Sequence, residues 1–254
     1  MKIHNNFIGN DSTNTIKLFE PGDTEERYLE NVQKMDDDWY YKNLEITYSL
    51  NENGHRCKSI QDLNLDNYII LAGCSHTFGI GLELEKTYAY LLSNKLNCDY
   101  YNLAMPGAGI DVMENNILTW FGKIKQKPKL VIIQTPDDTR YCNFNPHVNN
   151  ATFIERGSWV SDPDEQKMVV NCESTGVFNA RKVFVYKNIS NILGDVPCIL
   201  FNVAGLRNID VTTGLKMRVL DYARDLIHYG ILSNAKLSTD MYEHIRLNTK
   251  CLNF

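Results

Sequence analysis

Three residue types that together make a nucleophile stand at separated points of this chain. Ser75 lies in Gly73-Cys74-Ser75-His76-Thr77-Phe78-Gly79, directly after the apolar run Tyr68 to Ala72. Far along the chain, Asp225 precedes His228 by three positions in Ala223-Arg224-Asp225-Leu226-Ile227-His228-Tyr229-Gly230. A hydroxyl is a poor nucleophile until a base within hydrogen-bond reach takes its proton. An aspartate close to a histidine can hold the imidazole in one tautomer and stabilise the cation formed when it is protonated. Serine and glycine are also ordinary turn formers, so a turn serine and a surface histidine are the bland alternative. His76 as a competing base, Cys74 as the nucleophile and the Asp240/His244 pair on the last helix are further alternatives; a solvated helix face is the simpler reading of the last.

Chemistry of this kind needs rigid elements to aim the side chains. Tyr68 to Ala72 is short, apolar and rich in β-branched residues, as expected of a strand buried on both faces. Gly73, Gly79 and Gly81 punctuate the next positions, and a helical pattern follows from Glu85. Strand, glycine-rich turn, helix presents a side chain at the carboxyl end of a parallel sheet, where α/β ligands bind. Further strands are expected at Tyr100 to Ala104, Leu130 to Gln134 and Pro197 to Val203, with a short fifth one at Met217 to Tyr222. Helical spacing marks Tyr88 to Leu96, then Ile110, Met113, Ile117, Trp120, Phe121 and Ile124, then Phe178 to Ile192, and a last helix from about Ser233 to Lys250. Alternating strands and helices predict an α/β protein, a three-layer α/β/α sandwich with a flavodoxin-like doubly wound sheet of about five parallel strands.

Two segments stand outside that alternation. Residues 1–66 read as an irregular flank packed on the main domain of 67–254, with Asn51-Glu52-Asn53-Gly54 as a hairpin turn between Ile46-Thr47-Tyr48 and His55-Arg56. Residues 141 to about 174 are polar and dotted with aromatics, which predicts a lid-like insertion at the carboxyl end of the sheet.

Composition narrows the function classes. The 254 residues are 43% hydrophobic and 22% charged with a net charge of −5, so no basic surface invites nucleic acid. No apolar run approaches membrane-spanning length, and the start lacks a signal-peptide pattern. Seven cysteines without metal-ligand spacing point to free thiols in a reducing compartment and to no zinc site. A cytoplasmic or virion-associated location is expected. No metal and no cofactor is expected either.

Taken in order, three blocks resemble those of the SGNH hydrolases, also called the GDSL esterase/lipase family. Gly73 to Gly79 is similar to the nucleophile block, Asn102-Leu103-Ala104-Met105-Pro106-Gly107 to the second block, and Asp225 to Gly230 to the last. The resemblance covers roughly residues 67 to 250. It implies Ser75 as nucleophile, His228 as general base and then acid, and Asp225 as its orienter. The oxyanion donors would be the backbone amides of Ser75 and Gly107. The implied activity is hydrolysis of a carboxylic ester through an acyl-enzyme, and the polar insertion favours a small-molecule or glycan ester such as an O-acetylated carbohydrate.

The sequence departs from the family pattern twice. Cys74 stands where aspartate is frequent, a position outside the triad. Thr135-Pro136-Asp137-Asp138 stands where the family has Gly-x-Asn-Asp, so Asp137 replaces the asparagine that supplies a third oxyanion donor. An ionised carboxylate donates no hydrogen bond and repels a developing oxyanion. Three alternatives follow: another donor (Gln134, Asn143 or Arg140), an Asp137 that is protonated or turned away, or weak catalysis. Arg140 is equally a candidate for binding a substrate anion. The rival functions are a non-catalytic SGNH-fold protein that binds carbohydrate or builds a virion-type particle, and a sugar O-acetyltransferase on the same triad.

Overall fold

The structure, a computed structural model, describes residues 7–144, 153–156, 161–204 and 215–248. Strands β1 (Ile16–Lys17) and β2 (Tyr48–Ser49) and helix α1 (Glu25–Lys34) belong to the N-terminal flank. The following alternation is β3 (Tyr68–Ala72), α2 (Ser75–Phe78), α3 (Tyr88–Leu96), β4 (Asp99–Asn102), α4 (Ile110–Lys123) and β5 (Leu130–Gln134). Next come a hairpin of β6 (Tyr141–Phe144) and β7 (Phe153–Arg156), then α5 (Pro163–Ser174), α6 (Val177–Leu193), β8 (Cys198–Val203), β9 (Lys216–Met217) and α7 (Ile231–Asn248).

The main sheet has five strands in the order β4-β3-β5-β8-β9, all parallel. Renumbered along the sheet this is 2-1-3-4-5, a flavodoxin-like doubly wound order. β3 lies between β4 and β5, and every one of its residues is buried. Its side chains alternate between two cores. Tyr68, Ile70 and Ala72 join Val131 and Ile133 against Ile117 and Trp120 of α4 and Val185 and Ile189 of α6. Ile69 and Leu71 join Leu130, Ile132 and Phe201 against Leu92 of α3 and Leu237 and Met241 of α7. Strands covered on both faces must be apolar on both, which explains why this run shows no period-two alternation. β3 ends at the switch point, because the chain crosses to β4 on one side and to β5 on the other.

Three expectations need correction. The fifth strand is Lys216–Met217 rather than Met217 to Tyr222. Beyond Met217 the chain turns away to bring Asp221 to the start of α7, where its carboxylate accepts the Leu232 and Ser233 amides at 3.0 and 2.9 Å. Those amides begin the helix and have no partner within it. The turn at Asn51 to Gly54 is present, with Gly54 N–H donating to Asn51 O at 3.0 Å, but β2 pairs antiparallel with β1 and not with His55-Arg56. Within the segment read as a polar insertion, 163–174 is helix α5. Asp162 caps its Asp164 and Glu165 amides and Pro163 opens it, a start signal that outweighs the polar composition. Residues 145–152 and 157–160 of that segment lie outside the described residues.

Candidate active site

The turn after β3 is built around a close approach. A Cβ on Gly73 would lie 2.2 Å from Thr77 Oγ1 and 2.9 Å from Gln134 Oε1, so only glycine fits. Gln134 Oε1 accepts from the Cys74 amide (3.0 Å), Cys74 Sγ (3.1 Å) and Thr77 Oγ1 (3.1 Å), while its Nε2 donates to Thr135 O. This buried amide fixes the turn. Helix α2 starts at Ser75 and is closed by Gly79 at φ 85°, a left-handed cap. Ser75 is 8% exposed and opens its short helix at the carboxyl end of β3.

The aspartate and histidine come from the loop between β9 and α7. Asp225 Oδ1 accepts the amides of Ile227 (3.1 Å) and His228 (3.0 Å), closing a tight turn. Leu226 in that turn has φ 56°, a left-handed conformation in which a leucine side chain is strained. The turn aims the carboxylate and imidazole of nearby residues at each other. Asp225 Oδ2 lies 2.5 Å from His228 Nδ1, and His228 Nε2 lies 2.7 Å from Ser75 Oγ. The Asp225 side chain is fully buried and that of His228 is 13% exposed. A carboxylate only accepts, so Nδ1 carries the proton, and Nε2 is left to accept the Ser75 hydroxyl. The hydroxyl near the tip of the first sheet strand and the imidazole near the far end of the chain therefore meet.

The second loop lies against the Ser75 turn. Met105 N–H donates to Gly73 O at 3.3 Å and Ala108 N–H to Met105 O at 3.1 Å, which ties the loop to the Ser75 turn. Gly107 has φ 81°, a conformation that suits glycine. Among the described residues, neither the Ser75 nor the Gly107 amide donates to a protein acceptor. Backbone amides without a protein acceptor are groups that can donate to a bound anion or carbonyl oxygen.

The remaining candidates divide. Asp137 is 9% exposed, and its Oδ1 accepts both the amide (3.0 Å) and the hydroxyl (2.6 Å) of Thr139. Arg140 lies along the Gly107 loop, with Nη1 donating to Ala108 O at 3.4 Å. Gln134 is consumed by the Ser75 turn, as described. The Asn143 side chain lies outside the described residues. His76 rests edge-on against the rings of His228 and Tyr229, each 4.9 Å away. Burial, followed by the nearby His228 and Arg140 charges, holds its imidazole well below the usual histidine range. Asp240 pairs with Lys236 on the exposed face of α7, with Nζ at 2.5 Å.

Sequence reasoning missed a set of residues from the N-terminal flank. Gly22 lies over the imidazole: a Cβ there would stand 3.6 Å from His228 Cε1. Arg224, 2% exposed, is bound by Asp23, which is fully buried. The only signal in the sequence is an arginine directly before Asp225. Lys182 of α6 is 5% exposed and paired with Asp138, a contact no local pattern shows. Among the described residues there is no group of three potential metal ligands, and no helix is long and apolar enough to cross a membrane.

Comparison with known proteins gives structural likenesses only. No protein-family model and no curated protein matches the sequence. Among solved structures, a carbohydrate esterase family 2 enzyme with a carbohydrate-binding domain from Corynascus thermopiles (Myceliophthora fergusii) aligns with TM-score 0.44 and 16% identity, over 71% of this chain and 66% of that one. An acetyl xylan esterase from the rumen bacterium Butyrivibrio proteoclasticus aligns with TM-score 0.38 and 12% identity, over 72% and 64%. A lipolytic protein of the G-D-S-L family from Desulfitobacterium hafniense aligns with TM-score 0.35 and 13% identity, over 70% and 99%. The chain spans just under two thirds of the length of these carbohydrate esterases, 64% to 66%. Each of these three TM-scores lies below 0.5.

Proposed function

We propose that this chain is a serine esterase of the SGNH type that hydrolyses a carboxylic ester through an acyl-enzyme on Ser75. The observation that carries the reading is the continuous chain Asp225 Oδ2, His228 Nδ1, His228 Nε2, Ser75 Oγ, with contacts of 2.5 and 2.7 Å. Ser75 Oγ attacks the ester carbonyl as His228 Nε2 takes its proton. The carbonyl oxygen becomes an oxyanion, which the Ser75 and Gly107 amides stabilise. The imidazolium, steadied by Asp225, then protonates the departing alcohol as the C–O bond breaks. Water attacks the acyl-enzyme with His228 again as base, releasing the acid and restoring the hydroxyl.

The hole so built has two backbone donors. The engagement of Asp137 Oδ1 with Thr139 turns that oxygen to a local role, which supports a site able to work without a third donor from this position. The preferred substrate is an O-acetyl group on a carbohydrate, supported by the polar character of residues 141–174. Replacing Ser75 by alanine and following p-nitrophenyl acetate hydrolysis tests the reading: activity falls to background, and retained activity removes the assignment.

One observation favours a second reading. An acidic residue at 137, where a neutral donor would best hold an oxyanion, suits a protein that binds an ester or glycan without cleaving it. Glycan binding by a protein whose hydrolysis equals that of Ser75→Ala would establish that reading.

A further inference from the structure

Arg224 is held through Nε, Nη2 and both of its backbone polar groups. Its Nε donates to Asp23 Oδ1 (3.0 Å) and Oδ2 (3.2 Å), and Nη2 donates to Asp23 Oδ2 (2.7 Å) and Leu18 O (2.8 Å). The rings of Phe19 and Tyr28 lie 4.9 and 5.1 Å from its guanidinium carbon. Its amide donates to Gly81 O at 3.1 Å, and its carbonyl accepts Asn31 Nδ2 at 2.9 Å.

These contacts close a ring. The Tyr48 hydroxyl donates to Asp23 Oδ2 at 2.5 Å and accepts the Gly81 amide at 2.8 Å, while Gly81 O holds the Arg224 amide. The ring joins the N-terminal flank, the segment after the Ser75 helix and the loop that carries Asp225. It clamps the residue immediately before Asp225, and the strained Leu226 follows immediately after. A buried ion pair is weak evidence for stability, because desolvation offsets its attraction. What such a pair does supply is fixed geometry, and a strained turn persists only where its surroundings over-determine it.

We propose that Asp23 and Arg224, with Tyr48, are positioning residues that hold the Asp225–His228 pair in register with Ser75. The N-terminal flank is thereby a working part of the catalytic apparatus. This inference rests on the esterase reading of Ser75, and its test contains a readout that does not.

The variants are Asp23→Asn, which removes the charge with little change of shape, and Tyr48→Phe, which breaks the ring but leaves the ion pair. The readouts are kcat and KM for p-nitrophenyl acetate well below the melting temperature, and the low-field proton NMR signal of His228 Nδ1–H. The signal reports the bond to Asp225 without any turnover. Folded Asp23→Asn loses kcat by about 10- to 100-fold with KM within about twofold of the parent, since a small misplacement of catalytic groups costs rate rather than binding. Its low-field signal broadens or disappears. Tyr48→Phe shows the same pattern with a loss of up to about tenfold. If Asp23→Asn does not fold, Tyr48→Phe decides alone: unchanged kcat and an unchanged signal overturn the proposal. Loss of melting temperature with both readouts intact also overturns it, since that is what a merely structural pair would give. A parent protein with the low-field signal but no hydrolysis sinks the esterase reading, and the NMR response to Asp23→Asn then still decides the positioning role. A parent lacking both sinks both.

Discussion

Replacing Asp225 by asparagine separates geometry from chemistry. Asp225 Oδ1 accepts two backbone amides, those of Ile227 and His228, and Oδ2 faces His228 Nδ1. In Asp225→Asn the side-chain carbonyl must take the two-amide position, because an NH2 group there would confront two N–H donors. The NH2 group then points at Nδ1 and donates to it. The imidazole proton moves to Nε2, which can no longer accept the Ser75 hydroxyl. The turn stays intact while the base is lost. The expected fall in kcat is about 10³- to 10⁴-fold, or roughly 4–5 kcal/mol of transition-state stabilisation at about 1.36 kcal/mol per decade. The assay is single-turnover acylation by p-nitrophenyl acetate alongside thermal melting. A folded variant within tenfold of the parent would refute the reasoning about tautomer control.

Two further outcomes follow from the packing. His55 is buried, with its ring nitrogens 3.2 Å from the Tyr101 hydroxyl and from Ile8 O, and burial pushes its imidazole down to about 4. Its folded pKa therefore lies below the unfolded one, the unfolded chain binds more protons from about pH 6.5 down to about 4, and stability falls as pH falls through that window. The loss reaches about 3 kcal/mol, of which about 2 accrues between pH 7 and pH 5; urea midpoints at those two pH values read it, and His55→Gln flattens the dependence. His76, also held low by burial, adds in the same direction. Trp120 is fully buried against β3, with its indole N–H donating to Tyr68 Oη at 3.2 Å, so Trp120→Ala costs about 3–5 kcal/mol in chemical denaturation; a loss below 1 kcal/mol would show that this core repacks.

The parts of the fold legible in sequence were those set by burial on both faces. β3 and β5 coincide with the expected runs Tyr68 to Ala72 and Leu130 to Gln134, because strands inside a parallel sheet leave an unbroken apolar signature. α4 and α7 followed from the period of their apolar faces. Elements set by polar contacts were not legible. The Lys216–Met217 strand stops where it does because Asp221 is needed at the start of α7, a constraint that no periodicity carries. Tyr48 reads as part of a hairpin, yet its partner strand lies some thirty positions earlier in the chain. At the site, Ser75, Asp225 and His228 could be singled out because the chemistry restricts residue types and their spacing. The Asp23–Arg224 pair could not, since a buried ion pair between distant segments leaves two ordinary charged residues in the sequence. Gln134 was legible as a polar side chain at a strand end, but not in its role, which is to bracket the Ser75 turn.

On the proposed function, folding turns one hydroxyl among the chain's many serines into a nucleophile. The most direct test is to incubate the folded protein with a fluorophosphonate and map the modified peptide by mass spectrometry. The expected result is a single adduct, on Ser75, that is absent in Ser75→Ala and forms far more slowly in His228→Ala. An adduct on another residue, or a folded protein left unmodified, would contradict it.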